Sequence, residues 1–470
     1  MALFGALLVS GTLAGCEKKN VVPEVVLPDR VDTQEDMLRD SVYIYTYLLY
    51  LWQDALPIEF PTGRYPSAEG VLEALKTYAR DPQGNAYDRF SFIDRSGTID
   101  AEIQQGLAGS FGFDVRYHTD TDLYVKKVDP ESPAAAAGLA RGWRILEING
   151  NADLSQSSME QDNFSFLFGA LDAQTISLLL RTPDGQVLTK NLTRGSYRIQ
   201  PILNSRVFDV GDKRVGYFAF DSFVSTSDIS GNPTYVRNQL NQLLGQFEAE
   251  GIDELIVDLR YNGGGAVITA EYLSNMLAPT SVGTGLMYDY VYNQTLQQSG
   301  WDDVFVPEYF KKTNALDLDR IYFLVTWSTA SASELLINNL RPHIDIKLIG
   351  EEATYGKPVG YFAWDVMGVD LYAVSFQTFN STGFGDYFGG IPVDKVAYED
   401  LTRDFGDAEE SLIAEALHYV ANGQFRPTAS LRMGPAPLAG RYLPRLNRAL
   451  DGRGIKDMFD FRRGKQPRLR

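Results

Sequence analysis

Residues 215–260 decide the fold class of this chain. Val215-Gly216-Tyr217-Phe218-Ala219-Phe220 is an apolar run of strand length, residues 232–250 have helical spacing, and Glu254-Leu255-Ile256-Val257-Asp258-Leu259-Arg260 reads as a strand again. A buried strand, a helix and a second buried strand predict a parallel sheet with crossover connections, hence an α/β core. The pattern returns at 321–340. An apolar strand, 321–327, leads into the small-residue turn Ser328-Thr329-Ala330-Ser331-Ala332-Ser333-Glu334, and a helix follows that Pro342 stops. A turn of this kind presents a side chain at the strand's end and leaves backbone N–H groups open at the helix start. Acyl-transfer chemistry requires both, as a nucleophile and as donors to an oxyanion.

A serine nucleophile needs a base. Lys357 stands 26 positions after Ser331, in Thr354-Tyr355-Gly356-Lys357-Pro358-Val359-Gly360-Tyr361-Phe362. Apolar and aromatic surroundings disfavour an ammonium ion. Lowering a lysine from about 10.4 to about 7 takes roughly 4–5 kcal/mol, which burial can supply. The same residues also fit a plainer reading, a lysine in a Gly-rich turn and serines that cap a helix. Tyr261-Asn262-Gly263-Gly264-Gly265 closes the 254–260 strand, and its glycines allow a close backbone approach to a ligand. It is not a phosphate loop, because no Gly-Lys-Ser/Thr follows.

The chain has 470 residues, room for two or three domains, and a formal net charge of −18, which argues against nucleic acid as a partner. His118, His343 and His418 are the three histidines and stand in no metal-ligand pattern, so no metal is expected and all three read as structural. The single cysteine, Cys16, follows an apolar leader ending Leu13-Ala14-Gly15. This is the pattern of a bacterial lipoprotein signal, and it predicts an exported chain anchored to a membrane through lipidated Cys16.

In order, the expected domains are a signal at 1–16, a tether at 17–30, a small N-terminal helical domain at 31–105, a strand-rich domain at 106–195, a core at 196–424 and a basic tail at 425–470 read as solvated. Thr33 is expected to cap the first helix. A second helix is expected after Pro66-Ser67 and a third over 98–105. Residues 280–320 read as an irregular aromatic arm, and a helix is expected from Asp407 to Gly423. Within 106–195, Gly109-Ser110-Phe111-Gly112-Phe113, the strand 123–128, Ser132-Pro133 with its alanines, and Gly142-Trp143-Arg144-Ile145-Leu146-Glu147-Ile148-Asn149-Gly150 resemble a PDZ domain. The resemblance implies that Phe111, Gly112 and Phe113 offer backbone N–H groups to the free C-terminus of a polypeptide, which adds as a strand.

Together, 329–334, Tyr355-Gly356-Lys357, Asp258-Leu259-Arg260-Tyr261-Asn262-Gly263-Gly264 and Gly390-Ile391-Pro392-Val393-Asp394 resemble the carboxyl-terminal processing (tail-specific) proteases. That resemblance spans roughly 35–422. It implies a crotonase-like α/β core beside the PDZ domain and a serine endopeptidase with a Ser-Lys dyad and no cofactor. Ser331 would be the nucleophile and Lys357 the general base, with Ala332 and Gly264 as the oxyanion hole and Glu334 as support. Tyr361 stands where many members carry a glutamine that orients the lysine. A phenol can donate or accept there, yet the departure equally fits an inactive relative that binds peptides or apolar ligands. A third reading, acyl-CoA chemistry in a crotonase-like core, sits poorly with an exported lipoprotein.

Overall fold

A six-stranded sheet carries the core, in the order Lys395–Val396, Asp345–Gly350, Arg320–Val325, Glu254–Asp258, Lys213–Phe220, Ile202–Val210. All neighbours are parallel except the last pair. This computed structural model describes residues 33–301, 304–427, 443–452 and 458–460; the expected leader, Cys16 and tether lie outside them. Strand residues alternate between two packing layers. Phe218 and Phe220 pack with the helices Tyr235–Glu250, Val267–Leu277 and Ala332–Leu340, whereas Tyr217 and Ala219 pack with Ser411–Asn422. The α/β core read from the sequence is thus present.

Thr33 caps the helix Gln34–Leu49, exchanging hydrogen bonds with Asp36 at 2.9 and 3.2 Å. The helix Ala68–Lys76 packs on it, and the third helical segment is wound as a π-turn, Asp100–Gln104. The strand Phe92–Asp94 pairs with Val369–Tyr372, so the N-terminal part is stitched into the core. Five antiparallel strands, Phe113–Thr119, Asp122–Val128, Arg144–Ile148, Thr175–Arg181 and Val187–Thr193, form a separate sheet with its own apolar centre around Leu123, Ile148 and Leu178.

Three expectations need correction. Residues 280–320 are only partly irregular: Leu286–Tyr292 is a strand, and its residues 288–292 pair in antiparallel register with Phe376–Asn380. Its tyrosines at 288, 290 and 292 were the period-two signal. The helix expected from Asp407 begins at Ser411, because the buried Glu410 carboxylate accepts from the N–H groups of Leu412 (3.1 Å) and Ile413 (3.2 Å). The tail is only partly solvated where it is described. Leu443–Asp451 is a helix whose Asn447, Leu450 and Asp451 are buried against the strand Phe113–Thr119, and Phe459 and Asp460 are buried in the core.

Charge holds these parts together. Arg116 lies within 2.7–2.8 Å of Glu351, Glu399 and Asp451, and Lys126 reaches Asp451 at 3.1 Å. Arg141 pairs with Glu399 (3.1 Å), and Arg260 with Asp258 (2.7 Å) and Glu410 (3.0 Å). Burial raises the Glu351 carboxyl to about 7 against the pull of Arg116, with Glu399 and Asp451 adding repulsion. The folded state therefore holds a proton on Glu351 that the unfolded chain releases above its ordinary value near 4.5. That stabilisation is complete below about 4.5 and lost as the pH rises through about 7. Glu351→Gln, which stays neutral, is expected to gain on the wild type by about 1–3 kcal/mol as the pH rises from 5 to 7 and to gain no more above that, read from Tm measured between pH 5 and 8.5.

Candidate active site

The strands Glu254–Asp258 and Arg320–Val325 are parallel neighbours, with Asp258 opposite Leu324. The turns that leave these two strands therefore emerge side by side at the sheet's C-terminal edge, the usual place for ligands in such sheets. The turn 262–265 leaves the first, and the turn ending in Ser331 leaves the second. They are bonded to each other. Asn262 O accepts from Ala330 N–H (3.2 Å) and Ser333 Oγ (3.0 Å), and Thr329 Oγ1 donates to Leu259 O (2.8 Å). Ser331 has φ 63° and ψ −112°, a conformation costly for a residue with a Cβ, and the helix Ala332–Leu340 starts at the next residue. This is a strained strand-to-helix elbow with serine at its tip. Ser331 Oγ is buried and has no hydrogen-bond partner among the described residues.

Glu334, fully buried one turn into that helix, joins the elbow to the lysine loop. Its Oε2 accepts from Ser331 N–H and Lys357 N–H, both at 2.8 Å; its Oε1 accepts from Thr354 Oγ1 (2.5 Å) and Gly356 N–H (2.7 Å). Burial raises its carboxyl above the usual range, and these hydrogen bonds oppose the rise. Gly356 has φ +91°, and a Cβ there would collide with Phe388 O, so the loop needs glycine at that point.

Lys357 is buried. Its Nζ donates to Tyr361 Oη (2.5 Å) and lies 3.9 Å from the Tyr361 ring centre and 5.4 Å from that of Phe90. Tyr361 Oη in turn donates to Phe90 O (2.8 Å). The structure thus brings Ser331, Glu334, Lys357 and Tyr361 into one cluster, but does not close a bond between Ser331 Oγ and Lys357 Nζ. Ala332 supplies the first N–H of its helix, which has no intrahelical partner. Gly264 N–H is already engaged, donating to Asn262 Oδ1 (3.0 Å).

Phe111, Gly112 and Phe113 lie together at the start of the strand Phe113–Thr119. Both phenylalanines are buried, and Gly112 N–H donates to Ser110 Oγ (3.0 Å). Beside them is a cavity of about 100 Å³ lined in part by Phe111, Phe113, Lys126, Leu171 and Leu450.

Sequence reasoning missed Phe90, whose carbonyl and ring meet Tyr361 and Lys357, and Arg89, which donates to Tyr355 O (2.9 Å), Gly356 O (3.1 Å) and Phe388 O (3.1 Å). A helical N-terminal segment with no visible chemistry therefore buttresses the lysine loop. It also missed Thr354, tied to Glu334 and to Ile391 N–H (2.7 Å), although the Gly390-Ile391 motif was the available signal. No described histidine, cysteine or acidic group of three or more is arranged to hold a metal ion.

Residues 214–378 match peptidase family S41, and residues 100–163 match the PDZ domain. The chain is 24% identical over 254 residues to a carboxyl-terminal-processing protease of Picosynechococcus sp. and 26% identical over 300 residues to the chloroplastic C-terminal processing peptidase of Tetradesmus obliquus. These matches cover 54% and 59% of this chain, and 55% and 59% of the length of those relatives. In fold it is similar to a crystal structure of a Bacteroides fragilis protein assigned to the S41 proteases, with TM-score 0.62 and 24% identity over 84% of this chain and 100% of that one. The chain carries a peptidase family S41 domain and a PDZ domain, and it is a relative of the carboxyl-terminal processing proteases.

Proposed function

We propose that this chain is a serine endopeptidase that cleaves unfolded or C-terminally exposed polypeptides with Ser331 as nucleophile and Lys357 as general base. The observation that carries this reading is the Glu334 carboxylate, which bonds the backbone of both residues and so fixes the elbow and the lysine loop as one unit. Neutral Lys357 takes the Ser331 hydroxyl proton as Oγ attacks a peptide carbonyl. The lysine then protonates the leaving amine, and water, deprotonated by the same lysine, releases the acyl group. The Ala332 and Gly264 N–H groups hold the oxyanion, which requires the Asn262 carboxamide to yield Gly264 N–H to the substrate. The Phe111-Gly112-Phe113 loop takes the C-terminus of the polypeptide, and lipidated Cys16 holds the chain in the cell envelope. Among the described residues no helix is long and apolar enough to cross a membrane.

Tyr361 was the departure that spoke for an inactive relative. Its contact with Lys357 supports an orienting role instead, because a phenol that accepts from Nζ and donates to Phe90 O can orient the lysine. Tyr361→Phe is expected to lower kcat by roughly 10–100-fold with little change in KM, and Tyr361→Gln to recover part of the loss, measured on a quenched-fluorescent unstructured peptide. The reading as a whole is tested by incubating the full chain with unfolded casein. Cleavage that Ser331→Ala and Lys357→Ala both abolish supports it; an inert wild type across pH 6–10 overturns it.

A further inference from the structure

The strand Gly265–Ala266 has two edges. On one it meets Phe223, through the Gly265 bridge and the 2.8 Å bond from Ala266 N–H to Phe223 O. On the other it pairs in parallel with residues of the chain's own C-terminal stretch, Gly265 with Met458 and Ala266 with Phe459. That stretch is bonded on its far side to the segment that follows Lys357: Phe459 bridges Tyr361, and Asp460 N–H donates to Tyr361 O (3.0 Å). Residues 458–460 therefore run as an extended strand between the turn that bears Gly264 and the segment that bears Lys357. The Phe459 ring is buried in an aromatic pocket, 5.1 Å from Tyr372, 5.7 Å from Tyr361 and 6.4 Å from Phe92.

The same stretch meets the PDZ domain upstream. The Asn447 carboxamide accepts from Tyr117 N–H (2.8 Å) and donates to Tyr117 O (3.0 Å), the pair of bonds an added strand would make on that edge. Leu450 helps to line the cavity beside Phe111 and Phe113. Two edges suited to a peptide are thus both met by one C-terminal stretch, and at the first it has the extended form of a polypeptide substrate.

We propose that residues 458–460 stand where a substrate strand stands, and that the pocket of Phe92, Tyr361 and Tyr372 is a substrate subsite for an aromatic side chain. The inference rests on the peptidase reading above and adds a side-chain preference to it. The chain's own segment then competes with substrate, and a polypeptide bearing a phenylalanine displaces it.

Binding to a non-cleaving chain separates this proposal from the chemistry. The probes are fluorescein-labelled unstructured peptides that carry one phenylalanine, or serine in its place, at successive positions. They are titrated by anisotropy onto the full chain with Ser331→Ala and Phe459→Ser. Phenylalanine at one position is expected to tighten binding at least 10-fold over serine, and Phe92→Ala to reduce that ratio below 3-fold. Restoring Phe459 is expected to weaken the phenylalanine peptide about 10-fold. Equal binding of the two peptide sets, or no effect of Phe459, overturns the proposal even if the wild-type chain cleaves casein. Aromatic-selective binding with no casein cleavage keeps the pocket and sinks the peptidase reading.

Discussion

Ser331→Ala is expected to lower kcat/KM on an unfolded protein by about 10⁴-fold or more, to the level of Lys357→Ala, with the double variant no worse than either single one. Groups that act as a unit lose their function once, which is why the double variant discriminates. Independent contributions would instead multiply. The folded state should hardly notice the serine change. Ser331 Oγ is buried without a partner among the described residues, and alanine meets the same backbone strain at φ 63°. Tm is therefore expected within about 2 °C of wild type, or slightly above, since a buried unsatisfied hydroxyl is removed. A large drop in Tm together with lost activity would assign Ser331 to the fold and not to the chemistry.

Glu334→Ala is expected to be the most destabilising single change at the site. It strips acceptors from Ser331 N–H, Lys357 N–H, Gly356 N–H and Thr354 Oγ1 in a dry interior. Each buried donor left alone costs about 1–3 kcal/mol, and with partial relaxation the sum is roughly 3–5 kcal/mol, measurable by denaturant unfolding. Activity should fall by about 10²-fold or more, because the elbow and the lysine loop lose their common anchor. Glu334→Gln keeps the shape but turns one acceptor into a donor, so it should lie between alanine and wild type in both stability and rate. Wild-type stability in Glu334→Ala would contradict the role of this carboxylate as the tie between the two halves.

The parts of this molecule that were legible in the sequence are those written in local pattern. Strand–helix–strand order gave the parallel sheet, and the small-residue turn after an apolar strand gave the Ser331 elbow. The Lys357–Tyr361 pair was named by the resemblance to a family and not by local pattern, and the structure does bring the two into contact. The illegible parts depend on contacts far apart in the chain. The Phe90 carbonyl has no signature, since every residue has one; only the fold brings it 2.8 Å from a tyrosine 271 positions away. The tail misled through its charge count. Its many lysines and arginines suggested solvation, yet Asn447, Leu450 and Asp451, spaced as one face of a helix, were the residues that mattered, and Asp451 is drawn into the Arg116 and Lys126 pair of the PDZ domain. Asn262 shows the same limit on a smaller scale. Its glycine neighbours announced a close approach, but not that its own side chain occupies the Gly264 N–H.

The central claim is that Lys357 activates Ser331, and the most direct measurement is covalent labelling by a fluorophosphonate probe, mapped by peptide mass spectrometry across pH 6–10. The account predicts a single adduct on Ser331 in the wild type, forming faster as the pH rises and absent in Lys357→Ala. An adduct on another serine, or labelling of Ser331 at an unchanged rate without Lys357, would contradict it.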